Sequence, residues 1–480
     1  MTNKFHPSIL RAYDIRGVYN ETLFDNDAYF VGKCFAQVLI RQNLHKIAVG
    51  FDGRVSSIIL KERLIQGLLE SGIDVFEIGL GPTPMLYYSV FELNLDAGIM
   101  VTGSHNPKDH NGFKMMIKNQ NFYGENILEL AKILEQNNFT KPQKLGNLKI
   151  IDIKENYVSR LAQDCILSKS ESALENDLAI ENFINQKKLK IAWDCGNGSA
   201  GEVATMLSHR IDAEHILIYN DIDGNFPNHH PDPTEAKNLQ DLIAIVKKEN
   251  CDFGIAFDGD GDRIGVVANS GEIIWGDQLL IFYARDILLK KPHSTIIADV
   301  KASGLLFDEI KKANGNPIMW KTGHSLIKAK MKEQSASLAG EMSGHIFFAD
   351  NYYGFDDALY ASIRLINIMA NSLKTLSQML NELPKTFSTP EIRVESTDEN
   401  KFKIVDNLKE LLKKNNENFI DIDGIRANND MGWWLIRASN TQPVLVARCE
   451  ANSKENLEII KQNLREKLSY CQIKIPNELQ

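Results

Sequence analysis

The sequence predicts an α/β fold: three successive α/β segments followed by a smaller C-terminal α+β domain. Strand-like and helix-like patterns alternate through most of the chain, one phrase recurs three times, and the pattern changes after "LPKTFSTPEIRVES" (383–396). Short β-rich runs alternating with helical stretches point to βαβ units and a parallel sheet.

The elements follow in order. "KIAVGFD" (46–52) is a β-rich run ending at Asp52. "SSIILKERLIQGLLESG" (56–72) has apolar residues at helical spacing, with Ser56 as its cap and Gly72 as its stop. "DVFEIGL" and "TPMLYYSVFELN" continue the alternation. A strand running into an aspartate and a polar loop occurs at "VGFDGR" (49–54), "KIAWDCGNGS" (190–199) and "TIIADVKAS" (295–303). Downstream of each, a second strand ends in a richly polar loop: "GIMVTGSHNP" (98–107), "FGIAFDGDGDR" (253–263) and "ASLAGEMSGH" (336–345). Two readings fit: three unrelated segments, or three similar units each offering a loop to one cleft. Sites in such sheets lie at the carboxyl ends of strands, where all three loops fall. The stretch 168–190 is charged and polar and reads as an exposed helical segment or insertion. A helix at 401–415, a strand-rich stretch at 420–451 and a final helix make up the closing domain.

Composition narrows the function. The 480 residues carry a formal charge of -9, which argues against nucleic acid or a membrane surface as a partner. The N-terminus has no long apolar core and no stretch is apolar enough to span a bilayer, so neither a signal peptide nor a membrane span is expected. The six cysteines are scattered without a CxxC pair, which predicts reduced thiols in a cytoplasmic protein.

The chemistry concentrates in short motifs. In "FDGDGDRIGVV" (257–267), Asp258, Asp260 and Asp262 alternate with glycines. Three hard oxygen ligands this close suit Mg²⁺. An EF-hand fails on spacing, because its sixth position is Arg263 and its twelfth is Asn269; the bland alternative is an acidic turn holding no ion. "VTGSHNPKDHNGFK" (101–114) sets Ser104 between Gly103 and His105, without the hydrolase elbow G-x-S-x-G. Ser104 is then a turn residue or a phosphoryl carrier that completes a three-aspartate metal site. "GEMSGH" (340–345) offers Glu341, Ser343 and His345 to sugar hydroxyls, or is a surface turn. "RASNTQP" (437–443) offers Arg437, Ser439, Asn440 and Thr441 as a phosphate cradle, or is a polar hairpin end. "RAYDIRG" (11–17) supplies Tyr13 and Arg16; "KTGH" (321–324) supplies Lys321 and His324.

Taken together, "TGSHNP", "DGDGDR", "GEMSGH" and "RASNTQP", in this order, resemble the α-D-phosphohexomutase superfamily in its bacterial phosphomannomutase/phosphoglucomutase branch. "RAYDIRG", "NFPNHHPDP" (225–233), "DVK" (299–301) and "KTGHSLIK" (321–328) support the match, which covers nearly the whole chain. The resemblance implies three related α/β units with mixed sheets plus a smaller C-terminal α+β domain around a central cleft. The domains expected are 1–150 with the phosphoserine loop, 151–272 with the metal loop, 273–384 with the sugar-binding loop, and 385–480 for phosphate. The stretch 168–190 departs from the family pattern by its length.

The residue roles implied are these. Ser104 carries the phosphoryl group and joins Asp258, Asp260 and Asp262 on Mg²⁺, with Arg263 beside it. Glu341, Ser343 and His345 bind sugar. Arg437, Ser439, Asn440 and Thr441 bind phosphate, with Tyr13 and Lys301 lining the site. Arg16, Lys114 and His324 match the general acid and base positions; His324 ranks first, because an arginine is a poor base. The activity implied is reversible transfer between hexose 6-phosphate and hexose 1-phosphate, of glucose and mannose, through a hexose 1,6-bisphosphate that also serves as activator. Sugar phosphates are the expected partners, and a monomer the expected state. A phosphoglucosamine mutase, a serine-intermediate metal-dependent sugar phosphatase and a non-enzymatic ion or sugar-phosphate binder are the competing readings.

Overall fold

The computed structural model describes residues 4–169, 188–440 and 442–479. Four sheets follow one another along the chain, and the first three share a strand order. In the first, the strands Lys46–Phe51, Asp74–Leu80, Ala97–Val101 and His110–Ile117 lie in the order fourth, third, first, second. Lys190–Asp194, Glu214–Ile218, Phe253–Phe257 and Ile264–Ala268 repeat it in the second. Thr295–Asp299, Asn316–Trp320, Leu338–Gly340 and Ile346–Phe348 repeat it in the third. The three units are therefore related. In each, the first three strands run parallel and the fourth antiparallel. The sheets are mixed, where alternation alone predicts parallel ones. The reason is local: a short loop can join antiparallel neighbours, but a parallel pair needs a crossover.

This topology positions the site. Each motif of the first three units is the loop between the third and fourth strands: 102–109, 258–263 and 341–345. All three leave the carboxyl end of a central strand. Asp52, Asp194 and Asp299 stand at the end of the neighbouring first strand.

Helix Ser57–Glu70 buries Leu60, Leu64, Ile65 and Leu68. It ends at Gly72, whose φ of +83° turns its N–H back onto the Leu69 carbonyl. Ser56 does not cap it. That residue is itself helical, and its hydroxyl accepts from Asn111 Nδ2 at 2.8 Å instead. One apolar cluster runs from Leu86 in the first unit through Trp193 and Phe257 in the second to Tyr283 and Leu359 in the third. The C-terminal domain has an antiparallel six-stranded sheet, the helices Asn400–Lys414 and Lys454–Tyr470, and its own core around Leu408, Ile436 and Leu464. Most of the polar stretch 168–190, and Thr441, lie outside the described residues. No described helix is long and apolar enough to cross a membrane.

Candidate active site

Ser104 is buried and left-handed, with φ +49°, a conformation that costs a non-glycine residue energy and is held by its surroundings. Its amide donates to Thr102 Oγ1 at 2.8 Å. The Arg54 guanidinium donates to the carbonyls of Ser104, Asn106, Pro107 and His110. Asp52 holds the other side of the loop, accepting from Thr102 Oγ1 at 2.9 Å and the Gly103 amide at 3.0 Å. A Cβ on Gly103 would lie 2.2 Å from Arg54 Cζ, so only glycine admits this guanidinium.

The serine hydroxyl donates to Asp258 Oδ2 at 3.0 Å. This contact joins the loops of the first and second units. Asp258, Asp260 and Asp262 have no exposed surface, and one oxygen from each lies within 4.8 Å of the others. Asp258 Oδ1 accepts the amides of Asp262 and Arg263. Asp260 Oδ2 accepts from Thr83 Oγ1, Thr102 Oγ1 and Lys114 Nζ. Burial and their neighbours' charge raise the Asp258 and Asp262 carboxyls; burial would raise Asp260 too, but the Lys114 ammonium holds it low. Asp260 Oδ1 and Asp262 Oδ1 are buried without a hydrogen-bond partner. Hard oxygens left unsatisfied in this way fit a divalent cation.

Cations ring the serine. Lys114 Nζ spans Asp260 and Asp262. Burial alone would lower its pKa, but the carboxylates raise it, so Lys114 stays an ammonium. Burial likewise opposes the charge of Arg16, and Asp14, with Asp260 and Asp52 behind it, raises its pKa. His324 goes the other way. Burial, aided by Lys328, His345 and Lys114, depresses its pKa well below the usual value against the pull of Asp356. Of these three residues, only His324 is held neutral. Its ring stacks on His345 at 5.4 Å and meets Tyr13 edge-on at 6.1 Å.

Arg263 turns its side chain from the metal loop toward the third unit, where Nε donates to His345 Nε2 at 3.0 Å. The His345 proton therefore sits on Nδ1, 3.0 Å from Asp356 Oδ2 and 3.5 Å from Asp262 Oδ1. Glu341 is buried, with Oε1 on the Gly323 amide and Oε2 on the Ser343 hydroxyl. Arg437 donates to Asp423, which also accepts the Thr322 amide. Ser439 is buried beside it. Lys301 pairs with Glu391 of the last domain at 3.0 Å. Tyr13 ties three units together: its hydroxyl donates to the Thr322 carbonyl at 2.8 Å and accepts from Asn440 Nδ2. Burial pushes its pKa up to about 12, so it stays a neutral phenol.

The residues singled out in the sequence thus converge, except Thr441, which is outside the described residues, and Lys321, which is exposed. Sequence reasoning missed Asp52, Arg54, Thr83, Thr102, Lys328 and Asp356. Asp52 and Arg54 stand in the quoted "VGFDGR", and Thr102 in the serine motif itself; their partners are what the sequence hides.

A buried hydroxyl bonded to one of three converging carboxylates, with cations around it and a polar loop facing it, is an arrangement suited to phosphoryl transfer. Family models for phosphoglucomutase/phosphomannomutase match all four parts: α/β/α domain I at 7–141, domain II at 171–271, domain III at 275–387 and the C-terminal domain at 391–467. The chain belongs to the phosphoglucomutase/phosphomannomutase family. It is 44% identical over 473 residues to the phosphomannomutase/phosphoglucomutase of Pseudomonas putida, covering 98% of this chain and 97% of that protein. It is 41% identical to a phosphoglucomutase of Neisseria meningitidis, over 95% of this chain and 96% of that one. The crystal structure of a family protein from Burkholderia thailandensis superposes with a TM-score of 0.88 at 40% identity, over 97% of this chain and 98% of that one. At 14% identity and a TM-score of 0.61, over 96% of each chain, the N-acetylphosphoglucosamine mutase of Aspergillus fumigatus, solved with GlcNAc-6P and magnesium, shares the fold. The protein is a mutase, an isomerase that interconverts hexose phosphates.

Proposed function

We propose that Ser104 carries the phosphoryl group and that the enzyme moves it between the 6- and 1-positions of glucose and mannose phosphates. The observation that carries this reading is the hydroxyl of Ser104 on Asp258, beside carboxylate oxygens that have no partner. Asp258, Asp260 and Asp262, with an oxygen on Ser104, would hold Mg²⁺. An ion held there would supply Lewis-acid stabilisation of charge on the serine oxygen.

The chain's own groups do the rest. The bound sugar hydroxyl attacks the phosphorus of phospho-Ser104, and the bond to the serine oxygen breaks. His324 accepts the hydroxyl proton, since Arg16 and Lys114 are held charged. Lys114 and Arg16 offset the transferring charge. Glu341, Ser343 and His345 orient the sugar. Arg437, Ser439, Asn440 and Thr441, with Tyr13 and Lys301, hold the distal phosphate. The hexose 1,6-bisphosphate then turns end over end and returns its other phosphate to Ser104; free bisphosphate re-primes an unphosphorylated serine. Motion of the last domain, which has its own core, closes the cleft against water. One chain carries every group named, in keeping with a monomer. Its unpaired cysteines, five of them buried, fit the reducing cytoplasm.

The test supplies Mg²⁺ and a trace of hexose 1,6-bisphosphate, then compares glucose 1-phosphate, mannose 1-phosphate and glucosamine 1-phosphate while 6-phosphate and free phosphate are followed together. Glucose and mannose substrates turn over with little free phosphate, and Ser104→Ala loses nearly all turnover. Steady phosphate release makes the protein a phosphatase. Activity on the glucosamine substrate alone moves it to the other mutase branch. Wild-type rates in Ser104→Ala end the phosphoserine role.

A further inference from the structure

The three related units treat one aspartate differently. Asp52 and Asp299 bond directly to the functional loop of their own unit: Asp52 to Thr102 and the Gly103 amide, Asp299 to the Met342 amide at 3.3 Å. Asp194 holds the same place in the second unit, yet no described hydrogen bond joins it to the loop 258–263. Its carboxylate accepts the Gly196 amide at 3.0 Å, and His229 Nε2 lies 2.9 and 3.0 Å from its two oxygens.

His229 belongs to "NFPNHHPDP" (225–233), to which the proposed mechanism gives no part. Both of its ring nitrogens face acceptors, Nε2 the Asp194 carboxylate and Nδ1 the His230 carbonyl at 3.0 Å. A ring so placed donates from both nitrogens, which is the imidazolium. Two residues on, the Pro231 carbonyl accepts the Gly259 amide at 3.1 Å. The Gly259 carbonyl in turn accepts from the amide of Ser199 at 2.9 Å and its hydroxyl at 3.1 Å. Ser199 lies in the loop that begins at Asp194. Both polar groups of Gly259 are thus gripped by two segments, and His229 and Asp194 pin those segments together. Gly259 stands between Asp258 and Asp260. It is also packed under the serine loop: a Cβ there would lie 2.4 Å from the Ser104 carbonyl oxygen.

We propose that His229 and Asp194 are a positioning pair for the metal loop, setting Gly259 and through it the convergence of Asp258, Asp260 and Ser104. In the first and third units the strand-end aspartate braces its loop directly. In the second, where the loop's own carboxylates must stay free for a cation, the brace runs through His229. The inference rests on the reading of 258–262 as a metal loop.

The experiment follows the thermal melting of full-length wild type, His229→Ala and His229→Gln as Mg²⁺ is titrated, with turnover measured alongside. Mg²⁺ raises the wild-type melting midpoint. Groups that orient metal ligands cost about tenfold or more in affinity when removed, so the Mg²⁺ concentration for half the effect rises by about tenfold in His229→Ala. In His229→Gln an amide N–H is kept for Asp194, and the shift stays within about threefold. The KM for glucose 1-phosphate is unchanged in both, which a general loss of structure would not allow. A folded His229→Ala with a wild-type Mg²⁺ response overturns the pair, as does a change in sugar KM alone. Should His229→Ala fail to fold, Asp194→Asn is read by the same titration, and an unshifted Mg²⁺ response there overturns the pair. Should the wild type itself ignore Mg²⁺, the metal-loop reading falls, and the pair with it.

Discussion

At the scale of single residues, Arg54 does more for Ser104 than any group in the serine motif. Its guanidinium serves four carbonyls of the loop, stacks over Phe226 of the second unit at 5.2 Å, and has almost no exposed surface. A lysine there has three donors on one nitrogen and cannot span the same fork. Arg54→Lys leaves at least one buried carbonyl unpaired and lowers stability by about 1–3 kcal/mol in urea unfolding. Turnover falls with it, because Ser104 loses the support for its left-handed backbone. A loss under about 1 kcal/mol would contradict this account. The same residue marks what the sequence hides. The acidic, hydroxyl and cationic members of the site stand in short stretches whose composition betrays them. Arg54 bonds to backbone carbonyls 50 residues away, and a carbonyl has no side-chain identity to read.

At the scale of elements, the three functional loops are one structural position used three times. The recurring phrase was legible because strands are apolar and these loops are not. The antiparallel fourth strand was not legible, because a parallel and an antiparallel buried strand carry the same apolar run. Ser56 fails as a cap for a related reason: a better partner, Asn111, arrives from a distant strand. One cap that does form is buried and testable. Asp357 caps the helix Ala358–Ala370 through the Tyr360 amide at 2.9 Å, and it accepts hydroxyls from Tyr352 and from Tyr157 of the preceding unit. Burial outweighs these bonds and raises its carboxyl from 3.8 to about 6. The folded state therefore binds the proton more tightly. The stability this confers is complete below the unfolded value and is lost as pH rises through about 6. The unfolding free energy of wild type, relative to Asp357→Asn, is larger by about 2–3 kcal/mol at about pH 4 than at about pH 7. Paired denaturant titrations check this, and a flat difference would rule it out.

At the scale of the whole molecule, the site exists only in the assembled chain. Ser104, Asp258, Glu341 and Arg437 come from four units, and the proposed mechanism needs all four together. The family pattern made that arrangement readable, since motif order fixes which unit supplies which loop. It did not reveal how the units are joined. One apolar cluster bridges the first three, which also have cores of their own, whereas the last is joined by a small apolar contact of Val300, Trp433 and Leu435 and by polar contacts. Arg426 grips the carbonyls of Val300 and Ala302, and Arg448 that of Lys301. A seam so different from the interior behind it bears on cooperativity. Units bridged by a large shared apolar cluster melt together, and a domain that no such cluster bridges to the rest melts by its own enthalpy. Calorimetry should resolve two transitions, the smaller belonging to the C-terminal domain, and a sugar bisphosphate bridging the cleft should draw them together. A single transition without ligand would mean that a polar seam with a small apolar contact welds the last domain as firmly as a large apolar cluster does.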